Sequence, residues 1–188
     1  MASLFTHAFT AAALAQICAP RPGWKWMIPA GIIASGLPDA DVIGFEFGIR
    51  YGDFFGHRGF THSFFFALML AFLGVWLLRR RAPLAPGGRS WLGVYLFFCA
   101  ASHGLLDAMT DGGMGVGLLM PFENSRYFLP WEPIPVSPIG VTGFFTTYGW
   151  EVLRTEMLVV WLPLGALGGL CLMARNRMRA RLLGPSSR

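Results

Sequence analysis

The sequence holds four histidines, His7, His57, His62 and His103, and five aspartates, and their spacing is that of metal chemistry. In "SHGLLDAMTD", His103 precedes Asp107 by four residues, and Asp111 follows after four more. Residues four apart share a helix face, so this imidazole and carboxylate can ligate one ion or bridge two. Asp111 falls where the helix gives way to "GG". "HRGFTHS" sets His57 and His62 five apart, poor spacing for one helical face. His57 is therefore expected in a loop and His62 in the first turn of the next helix. "LPDADVIG" supplies Asp39 and Asp41, two hard oxygen donors in a turn. Mixed His and Asp donors suit Zn²⁺ first, then Mn²⁺ or Fe²⁺, and no cysteine stands near them to suggest a structural zinc knot.

Each piece alone has an ordinary reading. A histidine such as His7 on an Ala- and Phe-rich helix is more often hydrogen-bonded structure than a ligand. "PDAD" reads equally as a turn with an Asx cap. A His and an Asp one turn apart can be a buried pair. What raises the metal reading is convergence, because all four histidines and the aspartates 39, 41, 107 and 111 fall toward the same ends of the segments that carry them. Ionisable groups at membrane depth are costly, and so are functional suspects. The other acids, Glu46, Asp53, Glu123, Glu132, Glu151 and Glu156, are expected to be solvated or at headgroup level.

The elements that position these groups are apolar. The 188 residues are 54% hydrophobic and only 13% charged, too oily for an ordinary soluble domain. About 20 apolar residues span a bilayer, which predicts transmembrane helices over 59–78, 91–109 and 152–173. Two shorter segments, 2–19 and 24–37, flank the turn-like "PRPGWK" and are expected to form a tight helical hairpin. The fold class is thus all-α and membrane-embedded, about five helices in one domain over 1–188. The N-terminal segment lacks the basic flank of a secretory signal and carries His7, so it is read as a retained helix. Cys18, Cys99 and Cys171 lie far apart in apolar segments and imply no disulfide framework. The Gly-, Pro- and aromatic-rich stretch 112–150 is expected to be irregular, to lie at the interface with Tyr127, Trp131 and Trp150, and to cap the site.

Charge gives orientation. If the five segments alternate, one side receives Arg21, Lys25, Arg79, Arg80, Arg81, Arg89, Arg175, Arg177, Arg179, Arg181 and Arg188 and no acid. The other receives all ten acids with Arg50, Arg58, Arg126 and Arg154. Cytoplasmic loops are enriched in Lys and Arg, so the site is expected on the outer, periplasmic face and the basic tail 174–188 in the cytoplasm. The arginine runs are sufficiently explained as anchors to anionic lipid, and no direct nucleic-acid binding is expected from them.

The ordered set "THAFTAAAL", "GLPDAD", "HRGFTHS" and "SHGLLDAMTDGG", followed by "LLMPF", resembles the YdjM family of bacterial inner-membrane proteins, described as metal-dependent hydrolases. The resemblance covers residues 1–138, and the order and spacing are more specific than any one motif. It implies a polar site at His7, Asp39, Asp41, His57, Arg58, His62, His103 and Asp107, with Asp111 at its margin. It also implies binding to a LexA-type repressor, a cytoplasmic partner on the side opposite to the expected site. A more distant likeness to zinc-dependent phospholipase C and related nucleases is one of analogy.

The expected activity is hydrolysis of a phosphoester, lipid or lipid-linked, by two or more divalent ions. Such ions polarise the attacking and leaving oxygens. Asp39 or Asp41 would bridge them, and the other, or Asp111, would act as base. Arg58 would offer a fork to a phosphate oxygen or, equally, anchor to a headgroup. Two competing classes are open. An ion- or proton-coupled transporter needs polar residues at both membrane faces, and here they gather at one. A non-catalytic adaptor with a structural metal would show a closed ligand shell. Oligomeric state is not legible.

Overall fold

The computed structural model describes residues 1–17, 24–79, 87–138 and 141–183, so most of "PRPGWK", the centre of the arginine-rich loop and the last tail residues lie outside the described residues. The regular structure of the described residues is helical, with only two isolated bridges between extended residues, Thr110 with Ile134 and Val116 with Tyr127. Its helices are α1 (Leu4–Ile17), α2 (Trp24–Gly36), α3 (Phe64–Leu78), α4 (Gly88–Ala108), α5 (Thr147–Glu156) and α6 (Leu162–Leu183).

The hairpin expected from 2–19 and 24–37 is present as α1 packed on α2, and both lie against α4. Ser3 starts α1, its carbonyl accepting from the amides of Thr6 and His7 at 2.9 and 3.1 Å, and its hydroxyl receives the Thr6 amide at 3.3 Å. Such a cap satisfies donors that the first helical turn leaves open. The face of α1 turned inward is made of small residues and one histidine: Thr6, His7, Thr10, Ala11, Ala13 and Ala15. Small residues allow close helix approach where hydrocarbon gives no hydrophobic drive between helices. Tyr95 of α4 uses that proximity, donating to the Ala11 carbonyl at 3.0 Å, and Gly31 of α2 leaves the room for its ring that a Cβ would fill.

Among the described residues, three helices are long and apolar enough to cross a membrane, and two of them are spans read from hydropathy. Segments 91–109 and 152–173 stand, as Gly88–Ala108 and as part of a continuous stretch Thr147–Arg181. The third is Met27–Phe47, because α2 runs on into a 3-10 helix, Leu37–Phe47, ended by Gly48 in the left-handed conformation at φ 78°. Segment 59–78 is instead a 15-residue helix that begins at Phe64. Its first residues are diverted into the 3-10 turn Phe60–His62, and Ser63 starts α3 by accepting from the Phe66 amide at 3.0 Å.

Large apolar side chains stand exposed on the outer faces of these helices: Phe72, Leu73, Trp76 and Leu77 on α3, and Leu162, Leu167 and Leu170 on α6. Water would tolerate such a surface poorly, and hydrocarbon suits it. The expected cytoplasmic tail is helical to Leu183, as the end of α6.

The 112–150 stretch is irregular as expected over its described residues to 138, and from Val141 a 3-10 turn, Val141–Phe145, leads into α5. It is stitched to the helix ends by backbone bonds: Leu129 N to Ala108 O at 2.8 Å, Asp111 N to Ile134 O at 3.0 Å, and Phe64 N to Leu118 O at 3.0 Å. Phe122 and Phe145, more than 80% exposed, and Trp131 and Trp150 stand on its outer surface.

Candidate metal centre

Asp39 follows the C-terminus of α2, His62 precedes α3, and His103 and Asp107 lie in the last turns of α4. The tertiary structure brings these four to one point, with one ligand atom of each within 4.8 Å of all the others. Gly104 makes the meeting possible, since a Cβ there would overlap the His62 carbonyl oxygen and sit 3.2 Å from Leu118 Cδ2. The backbone of α4 thus rests directly on the His62 turn.

The spacing of the donors can be compared with what an ion requires. Bonds of about 2.0–2.1 Å in a tetrahedron put neighbouring ligand atoms about 1.6 times that distance apart, roughly 3.3 Å. The Nε2 atoms of His62 and His103 are 3.1 Å apart. Asp39 Oδ1 lies 3.5 and 3.3 Å from them, and Asp107 Oδ2 lies 3.5 and 3.8 Å from them. Asp39 Oδ1 and Asp107 Oδ2 are also buried atoms that make no hydrogen bond. Leaving buried carboxylate oxygens unbonded is costly, and a divalent cation is the partner that repays it. The residues present therefore fit the metal that the sequence implies.

Neighbours fix how the imidazoles point. His103 Nδ1 lies 2.6 Å from the Ser35 carbonyl, which can only accept, so Nδ1 carries the proton and Nε2 presents its lone pair to the group. His7 stacks on His103 with ring centroids 3.8 Å apart, and its Nε2 lies 3.6 Å from Asp107 Oδ1. Both of its ring nitrogens are buried without a hydrogen bond, so His7 adds a further available donor beside the four. Burial opposes a charge on His62, but the carboxylates of Asp107, Asp39 and Asp41 outweigh it and push its pKa up to about 10.

A second group, Asp41, His57 and His62, adjoins the first through His62. The Asp41 oxygens and the Nδ1 atoms of His57 and His62 are already paired within the protein. His57 Nδ1 sits 2.7 Å from Asp41 Oδ1, and Thr61 Oγ1 donates to Asp41 Oδ2 at 2.7 Å. Of the residues read as ligands, the structure thus gathers His7, Asp39, His62, His103 and Asp107 around open donor atoms, and holds Asp41 and His57 in hydrogen bonds alongside.

Two expectations change. Arg58 is fully buried, at φ 62° in the left-handed region, with Nη1 donating to Gly112 O at 2.6 Å and Nη2 to Thr110 Oγ1 at 2.8 Å. Its Nε is 3.6 Å from Asp107 Oδ2. A guanidinium committed to the chain's own acceptors steadies Asp107 and the cap, and is no longer an exposed fork for phosphate. Left-handed backbone in a non-glycine residue costs of order 1 kcal/mol or more, which these buried bonds sustain. Asp111 is not brought to the group: its carboxylate is exposed and accepts from the Val136 amide at 2.8 Å, so it fastens the cap.

Several positioning residues carry no sequence signal. Arg126 donates to the carbonyls of His57, Tyr51 and Asp53 at 2.9, 3.0 and 3.1 Å, clamping the 51–57 loop. Glu156, expected at headgroup level, is wholly buried and accepts from the Ser3 amide at 2.5 Å, from the Thr6 hydroxyl at 2.8 Å and from the Ser3 hydroxyl. A carboxylate at the start of α1 meets unpaired amides and the positive end of the helix dipole. It anchors the segment whose next amide, that of Ala2, donates to Asp107 Oδ1 at 2.7 Å.

The comparisons agree with this architecture. A family model described as YdjM inner membrane protein matches residues 1–178. The chain is 48% identical over 136 residues to a protein named Inner membrane protein YbcI from Escherichia coli (strain K12), covering 71% of this chain and 76% of that one. No solved structure matches the chain. With most of its length matched, with helices fit to cross a membrane and with His and Asp groups that could hold a metal, the chain belongs to the YdjM family of inner membrane proteins.

Proposed function

We propose that this protein is a metal-dependent hydrolase of the inner membrane acting on a phosphoester, lipid or lipid-linked. The observation that carries the proposal is the four-residue group itself: two imidazole nitrogens 3.1 Å apart, each 3.3–3.8 Å from two unbonded carboxylate oxygens, at one end of the helical bundle. Asp39, His62, His103 and Asp107 would hold a divalent ion, Zn²⁺ by donor type, and His7 would complete or extend the set. When bound, the ion supplies polarisation of a phosphoryl oxygen and of water.

The chain's own residues do the rest. Ser35 and the stacked His7 fix the His103 ring, and Arg58 and the Ala2 amide fix the Asp107 carboxylate. Asp39 is the partly open member, its side chain 14% exposed while those of the other three are closed off. Substrate therefore enters beside Asp39. The exposed aromatics of the 112–150 cap and of the Leu37–Phe47 helix, Phe122, Trp131, Phe45 and Phe47, favour a substrate presented from the bilayer. Following the charge distribution, the site faces the periplasm and the C-terminus the cytoplasm. A LexA-type partner would then meet the basic side and not the site.

The burial of His62, His103 and Asp107 favours a second reading, an adaptor in which the ion is structural. Replacing His103 with Ala separates the cases. The proposal expects loss of bound metal and of phosphodiesterase activity together; metal lost from the variant, with a metal-bound wild type that never hydrolyses lipid phosphoesters, supports the adaptor.

A further inference from the structure

The geometry points to Asp41 and Thr61 as positioning residues for the ion ligand His62, and not as ligands of an ion themselves; this rests on the reading that the Asp39, His62, His103 and Asp107 group binds the metal. Both Asp41 and Thr61 approach Nδ1 of His62, the ring nitrogen turned away from the group. Thr61 Oγ1 donates its one proton to Asp41 Oδ2 at 2.7 Å, so at 3.0 Å from His62 Nδ1 it can only accept. A proton of His62 is thereby held on Nδ1, and Nε2, which faces Asp39 and Asp107, is the nitrogen left for an ion. The other oxygen of Asp41, Oδ1, is taken by His57 Nδ1 at 2.7 Å, shorter than two ligands on one ion would stand.

The distribution of unbonded atoms separates the two groups independently. Asp39 and Asp107 each leave a buried oxygen without a hydrogen bond, whereas no atom of Asp41, His57 or Thr61 is so left. Open donors mark where a cation belongs, and satisfied ones mark the frame that holds them. The arrangement is the carboxylate and histidine pairing that orients metal ligands, here with a hydroxyl interposed. Ser35 performs the same service for His103 through its carbonyl.

The test is a Co²⁺ titration of the detergent-purified full chain, read by bound ions per chain and by the visible ligand-field spectrum. Thr61→Val and Asp41→Asn are expected to keep the wild-type ion count, to bind about ten- to a hundred-fold more weakly and to shift the spectrum. Thr61→Ser, which retains the hydroxyl, is expected to restore wild-type affinity, whereas Asp39→Asn removes an ion. His57→Gln is expected to keep the count. Loss of an ion in Asp41→Asn would make Asp41 a ligand and overturn the inference, as would an unchanged affinity and spectrum in Thr61→Val. A wild type that takes up no Co²⁺ would instead overturn the metal reading on which it rests. Variants are compared as monodisperse species with wild-type circular dichroism, and Thr61→Val, nearly isosteric, is the variant least exposed to misfolding.

Discussion

Asp107→Asn is the substitution that asks most of the metal reading. The carboxylate faces the Nε2 atoms of His62 and His103 at 3.5 and 3.8 Å and Arg58 Nε at 3.6 Å, and it receives the Ala2 amide at 2.7 Å. Asparagine keeps the shape and one acceptor, but removes the charge and one of the four oxygen and nitrogen donors. An ion that binds only the folded state stabilises it by about 2.7 kcal/mol at one hundred times its dissociation constant. For a chain of this size each kcal/mol moves the melting temperature by about 2–4 °C, so saturating Zn²⁺ should raise that of the wild type by roughly 5–11 °C over chelator-treated protein. The assay is thermal unfolding in detergent with and without the ion. Asp107→Asn is expected to lose the shift, while Asp111→Asn, whose carboxylate lies outside the group and holds the Val136 amide, keeps it. A full shift in Asp107→Asn, or none in the wild type, refutes the assignment of the ion to these residues.

Arg58→Lys should lower the melting temperature, because a lysine keeps the charge but lacks the planar fork that serves Thr110 and Gly112 together, and a buried polar group left unbonded costs about 1–3 kcal/mol; thermal unfolding without metal checks it. Gly104→Ala should push α4 off the His62 carbonyl, with an overpacking cost of about 1–3 kcal/mol and weaker ion binding, both measurable on one purified variant. Glu156→Ala should destabilise by about 1–3 kcal/mol through the stranded Ser3 and Thr6 donors, and Glu156→Gln by less, as read from the same melts. Ion affinity should rise with pH between 6 and 9: with its pKa pushed up to about 10, His62 of the metal-free protein keeps a proton that the ion must displace, and that competition weakens as pH rises. Calorimetric titration in buffers of different ionisation enthalpy would show the proton released.

Composition and spacing by themselves determined the helical membrane class and singled out the His and Asp residues as candidate donors, while the ordered motifs carried the resemblance to the family. Four histidines beside carboxylates in an apolar chain are too costly to be incidental, and a one-turn spacing such as that of His103 and Asp107 is a property of the helix alone. The extents of the helices were less legible. Hydropathy does not record that residues 59–63 are withdrawn from α3 into a turn by Ser63 and the left-handed Arg58, or that α2 continues as a 3-10 helix to Phe47. Which donors stay open was decided only by the tertiary structure. Asp39 and Asp41 are equivalent in "PDAD", yet Asp39 leaves a buried oxygen unbonded beside two Nε2 atoms, whereas both oxygens of Asp41 are claimed by His57 and Thr61. Arg58, Asp111 and Glu156 likewise took their places from residues distant in the chain. A buried polar atom is satisfied by whatever the fold sets opposite it, and that partner is fixed by packing, which spacing along one segment does not encode.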